Sequence, residues 1–220
     1  MCESSMTSGH VSDSLNRIKL MYAMASVFWA LSGAAHTQPT SVGIHLNGDL
    51  SVQSWKATRN KKIIMQELDF SCGSAALATL LTYYYGLNVT EKDVLTAIGK
   101  NSWLSMADMK SSLPQWGLKG IGLALDYEQL TQLKIPVIIY FHTWAGPHFA
   151  VLRGIDKHTV WVADPASGNN KYPVEKFREK WEVRGTKTHK GKILLVLPSD
   201  NKNLSVRQDY FVNLESGHQN

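Results

Sequence analysis

The sequence predicts an α+β fold, a helical first half followed by an antiparallel sheet. Three observations carry that prediction. From Cys72 to Tyr85 the residues Ala75, Ala76, Leu77, Leu80 and Leu81 recur at helical spacing, which marks a central buried helix. Thr90 and Ser105 are each followed three residues later by an aspartate, the arrangement of a helix capping box. Beyond Trp116 the pattern changes to short apolar runs separated by turn residues, which read as strands.

In chain order, residues 1–35 read as a signal peptide. Arg17 and Lys19 precede an apolar run, Leu20 to Leu31, and the small residues Gly33 and Ala35 mark a cleavage point after Ala35. An uncleaved membrane anchor is the alternative, but the run falls short of the roughly 20 apolar residues that a spanning helix needs. Residues 36–62 follow as a hairpin and a basic connector. The hairpin is read from the turn Asn47-Gly48 inside "VGIHLNGDLSVQSW", the connector from Lys56 to Lys62.

The main domain is expected over 63–198. Its central helix takes Ser71 as cap and Gly86 as stop, and two short helices follow over Thr90 to Ile98 and Ser105 to Leu113. "GLKGIGLAL" reads as a strand and "DYEQLTQLK" as a short helix. "PVIIYFH", "HFAVLRGI" and "TVWVAD" read as three strands, "VEKFREKWE" as a helix and "KILLVLP" as a closing strand. Residues 199–220 form a polar tail that is expected to pack loosely.

With 220 residues and 44% hydrophobic content, the chain can fill one core but hardly two, so a single domain with appendages is expected. The charge is mildly basic, 23 Lys and Arg against 18 Asp and Glu, and scattered. Without a basic patch interleaved with aromatics, nucleic acid is not an expected partner. Cys2 falls in the leader, so after cleavage only Cys72 remains and an intramolecular disulfide is excluded.

A lone thiol in an exported chain is either sealed in the core or used. Cys72 sits at the start of the central helix, where free N–H groups and the helix dipole favour a thiolate. A base and an orienting group complete such a site. His148 opens the strand "HFAVLRGI", and Asp164 closes "TVWVAD" 16 residues later. If these strands pair through a turn around Asp156 to His158, both side chains reach one edge of the sheet. His142 is the rival base; it ends the preceding strand but has no acid placed across a hairpin. Gln66, six residues before the cysteine, offers an amide donor for developing negative charge, alongside the N–H of Cys72.

The blocks "QELDFSCGSAALA", "GPHFAVLRGID" and "VWVADPASG" resemble, in the same order, those of the C39 peptidases, the papain-like family that cuts leader peptides behind double-glycine-type sites. The resemblance covers Ile63 to Pro198. It implies a papain-like cysteine peptidase fold with the nucleophile on the central helix, Cys72 as nucleophile, His148 as base, Asp164 as its orienting acid and Gln66 as oxyanion donor, with no cofactor. No transporter or ATP-binding segment accompanies the blocks, and the chain is most similar to the stand-alone exported members of functional-amyloid (Fap) secretion systems. That resemblance implies a periplasmic enzyme acting on an exported protein or leader at a small-residue, Gly-Gly-like site, with amyloid subunits or other secretion components as partners. Contact with a membrane is expected only through an uncleaved leader. Two alternatives stay open: a non-catalytic module that holds an unfolded secretion substrate, and an amidase or transferase on cell-wall peptides. The papain signature C-G-S/A-C-W/Y is absent, and one cysteine with dispersed histidines gives no zinc set.

Overall fold

The computed structural model describes residues 54–144, 146–199 and 204–212. The expected signal peptide and the turn at Asn47-Gly48 lie outside them. Among the described residues no helix is long and apolar enough to cross a membrane.

The helices are α1 (Trp55–Arg59), α2 (Cys72–Tyr83), α3 (Glu91–Ile98), α4 (Met106–Ser112), α5 (Tyr127–Thr131) and α6 (Val174–Trp181). The strands are β1 (Leu118–Leu125), β2 (Val137–Thr143), β3 (Gly146–Ile155), β4 (Thr159–Asp164), β5 (Gly168–Pro173) and β6 (Gly191–Pro198). The strands form one antiparallel sheet in the order β1-β6-β2-β3-β4-β5.

Alternate residues of the sheet feed two cores, one on each face. On one face Ile138, Val151, Leu194 and Val196 pack with Leu77, Leu80 and Leu81 of α2, Val94 of α3 and Met109 of α4. On the other, Ile139, Phe141, Leu152, Val162 and Ile193 pack with Leu130 of α5 and with Phe177 and Trp181 of α6. Burial on both faces is why these strands read as nearly continuous apolar runs. Trp181 lies so close to Gly191 that a Cβ there would enter its indole ring.

Every residue of α2 from Cys72 to Leu81 is buried. Its small residues Gly73, Ser74, Ala75, Ala76 and Ala78 allow that close approach. The helix stops at Tyr83 rather than Tyr85, where Leu87 N–H turns back onto the Leu81 carbonyl at 3.0 Å and Gly86 adopts φ 68°. The caps expected at Thr90 and Ser105 form as complete capping boxes with Asp93 and Asp108.

Four further points differ from the sequence reading. Ser71 occupies the N-cap position without capping: its hydroxyl donates to the Leu68 carbonyl at 2.7 Å and accepts the Leu68 N–H at 3.1 Å, so it closes the preceding loop. The basic connector begins as helix α1, because the Ser54 hydroxyl accepts the Ala57 N–H at 3.1 Å and caps it. Strand β5, "GNNKYP", is an element that the sequence hides; glycine, asparagine and proline are poor strand formers, tolerated on this edge by pairing with β4.

The tail is the fourth point. Its described part, residues 204–212, docks firmly. Arg207 N–H donates to the Tyr84 carbonyl at 2.8 Å, Val212 N–H donates to the Arg153 carbonyl at 2.6 Å, and Tyr210 between them is fully buried. Arg153 is the bulged residue of β3, left unpaired where the register with β4 shifts, and its guanidinium covers the Tyr210 ring at 4.5 Å. A side chain at Gly154 would collide with Val212, so the glycine leaves the tail its path.

Candidate active site

Cys72 is the first residue of α2 and is 2% exposed. Because the Ser71 hydroxyl is turned toward Leu68, no side chain caps the helix start, and Cys72 stands at the positive end of the helix dipole. Behind the thiol the fit is tight: a Cβ at Gly73 would sit 3.3 Å from Leu104 Cβ and 3.4 Å from the Phe149 ring.

The β3–β4 hairpin brings the other two groups together. Asp156 accepts the N–H groups of His158 at 2.7 Å and Thr159 at 2.6 Å, which forms the turn. This use of Asp156 in the turn leaves Asp164 as the acid facing the histidine. His148 Nε2 lies 2.8 Å from Asp164 Oδ1, with the residues 8% and 4% exposed. The edge of the imidazole also meets the Phe141 ring at 5.4 Å. His142, the rival, is exposed and meets Tyr140 instead.

Burial alone would pull the imidazole toward its neutral form. Hydrogen bonds to Asp164 and to the Cys72 side chain, with the charges of both, outweigh it and raise the His148 pKa to about 9. Since Nε2 is engaged by Asp164, Nδ1 is the nitrogen left for the thiol. Burial pushes the Asp164 carboxyl upward, and the His148 bond and charge, the Ala166 N–H and the Ser167 hydroxyl bring it below the usual value. Oδ1 accepts that N–H at 2.8 Å. The arrangement is an imidazolium held between a carboxylate and a sulfur, which is what thiolate acyl chemistry requires.

Gln66 lies in the loop that leads into α2. Its backbone N–H donates to the Pro165 carbonyl at 2.9 Å, so the segment before the cysteine is tied to the residue after Asp164. Its side-chain Nε2 donates to the Leu68 carbonyl at 3.0 Å, while the second contact, to Asp69 at 3.5 Å, is long for a hydrogen bond. One amide N–H is therefore only weakly engaged.

Sequence reasoning missed the backbone groups of Pro165 and Ala166. The signal was "DPA": proline holds the preceding aspartate extended, and an aspartate side chain that bonds the N–H two residues on forms a local turn. Among the described residues no group of three or more His, Cys, Asp or Glu side chains is placed to hold a metal ion.

Residues 60–203 match the Peptidase C39 family. The chain is 36% identical over 138 residues to the "Probable functional amyloid protease FapD" of Pseudomonas aeruginosa, covering 59% of this chain and 61% of that protein. It is 31% identical over 170 residues to the protein of the same description in Pseudomonas fluorescens, covering 74% of each. The match thus spans less than two thirds of the P. aeruginosa protein. Among solved structures, a double glycine motif protease from an AMS/PCAT transporter, in complex with the leader peptide, is 27% identical with a TM-score of 0.53, covering 62% of this chain and 91% of that one. The peptidase domain of Streptococcus ComA shares the fold, with a TM-score of 0.54 at 18% identity over 62% of this chain and 98% of that one. With a family match over more than half its length, laid on a cysteine, histidine and aspartate in contact, the chain belongs to the Peptidase C39 family of cysteine peptidases.

Proposed function

We propose that this chain is a periplasmic peptidase that cleaves an exported protein or leader after a small-residue, Gly-Gly-like pair and so supports the secretion or assembly of functional amyloid. The observation that carries the reading is the buried contact series Cys72, His148, Asp164 at the start of α2. In the first step the Cys72 sulfur attacks the scissile carbonyl, and negative charge on its oxygen is met by the Cys72 N–H and the Gln66 amide. The His148 imidazolium gives its proton to the departing amine. Water, activated by the neutral imidazole, then hydrolyses the acyl-enzyme.

The substrate class rests on the relatives, which are described as functional amyloid proteases and as a double glycine motif protease. Export rests on the apolar run before Gly33 and Ala35. The test is incubation of the purified protein with secreted amyloid subunits and leader-bearing proteins of its own gene neighbourhood, wild type against Cys72→Ala, with mass spectrometry of the products. One discrete cut after a pair of small residues, absent in Cys72→Ala, is expected. Cuts after bulky or charged residues would overturn the specificity. Binding without cleavage would make the chain a holding module.

A further inference from the structure

Gln66 has no secondary structure of its own to hold it, yet an oxyanion donor acts only if it is fixed before charge develops. Two bonds from distant parts of the chain bracket it. Its own N–H goes to the Pro165 carbonyl at 2.9 Å, and the N–H of the next residue, Glu67, goes to Glu91 Oε2 at 3.0 Å. Glu91 is the first residue of α3, where a carboxyl complements the helix dipole, and it is 6% exposed. A carboxyl at a helix start ordinarily projects into water; this one is buried, and its other oxygen, Oε1, has no hydrogen-bond partner among the described residues. The capping of α3 is already complete through Thr90 and Asp93. Burial of Glu91 is therefore not explained by the helix, and among the described residues its one hydrogen bond goes to the loop of Gln66.

We infer that Glu91 is a positioning residue for catalysis: through the Glu67 N–H it fixes the Gln66 loop from the helical side, as Pro165 fixes it from the side of Asp164. The inference rests on the peptidase reading and on Gln66 as oxyanion donor. A buried carboxyl that holds one N–H is costly to remove, because that N–H is then left unpaired and the loop loses its anchor. The loss appears in the transition state, where the amide must already be aligned, and not in the binding of substrate.

The test uses the full chain and a Gly-Gly-aminomethylcoumarin peptide, with rates per folded protein from circular dichroism and active-site titration. Glu91→Ala is expected to lower kcat by about tenfold or more, with KM within about twofold, and by no more than Gln66→Ala does. Glu91→Gln keeps an acceptor for the Glu67 N–H and restores most of the rate. In the double variant Glu91→Ala/Gln66→Ala the rate equals that of Gln66→Ala, because a residue that acts through another adds nothing once that other is gone. Hydrogen exchange without substrate gives an independent reading: in Glu91→Ala the Gln66 and Glu67 amides lose protection while α3 keeps it. An unchanged kcat, a full additive loss in the double variant, or unaltered exchange of Glu67 would overturn the inference and leave the peptidase reading standing. A wild type that cleaves neither this peptide nor any exported protein would remove both.

Discussion

His148 Nε2 and Asp164 Oδ1 lie 2.8 Å apart, and the same carboxylate oxygen also accepts the N–H of Ala166 at 2.8 Å. The acid is thus held by the backbone that follows it, and the imidazole is held by the acid. Such a doubly fixed ring keeps its second nitrogen directed at the Cys72 thiol without help from substrate.

The protonation of His148 is expected to set the alkaline limit of activity. Its pKa is raised from the ordinary 6.5 to about 9, so the imidazolium persists through neutral pH and activity is expected to fall as pH rises through about 9. The sign for stability follows from the same shift. A group with a raised folded pKa contributes stability that is complete below its unfolded pKa and is lost as pH climbs through the folded value. Asp164→Asn removes the charge that opposes burial, so the alkaline limb should move toward lower pH. A limb that stays near 9 in Asp164→Asn would show that the carboxylate does not govern the ring.

Removing the base tests the thiol. His148→Ala is expected to lower turnover by on the order of 10²–10⁴-fold while far-ultraviolet circular dichroism stays that of wild type. Cys72→Ser should show no burst of acylation. Native Cys72 should react with iodoacetamide at neutral pH and lose that reactivity in His148→Ala. If labelling occurs only after unfolding, at equal rates in both proteins, Cys72 is a core residue and the mechanism fails.

Gln66→Ala should slow cleavage on the order of a hundredfold, the usual cost of one oxyanion donor, with little change in KM. Steady-state kinetics on a Gly-Gly peptide decide this. A normal kcat would leave the Cys72 N–H as the only donor in use.

Much of this geometry is legible in the sequence because it is local or periodic. Strands pairing through the turn around Asp156 bring His148 and Asp164 to one edge of the sheet. Alternation from the Ile155–Val160 pair alone would set them on opposite faces, and the bulge at Arg153, which no sequence pattern announces, returns them to one. The capping boxes at Thr90 and Ser105 are read from single side chains at fixed spacing. What escapes is set by long-range bonds. The Ser71 hydroxyl reads as a cap, and only the folded loop shows that Leu68 takes it. Strand β5 has only Tyr172 as a strand former among Gly, Asn, Lys and Pro, and owes its form to β4. The tail spaces Leu204, Val206 and Tyr210 among polar residues, too sparsely for a pattern, yet each packs on the α2 core.

Tyr210 gives the sharpest stability contrast. It is fully buried, stacks on Tyr83 with ring centroids 6.3 Å apart and lies under Arg153, yet its hydroxyl has no hydrogen-bond partner among the described residues. Its ring therefore stabilises the fold while its oxygen opposes it, and burial accordingly raises the phenol pKa. Tyr210→Ala should cost about 3–5 kcal/mol, as for other large buried side chains, and release the tail from Gly154 and Arg153. Tyr210→Phe keeps the ring and removes a polar group whose unpaired burial costs about 1–3 kcal/mol, so it should be neutral or stabilising. Urea unfolding of the three proteins measures both differences. Equal destabilisation by Phe and Ala would mean that the hydroxyl, and not the ring, holds the tail in place.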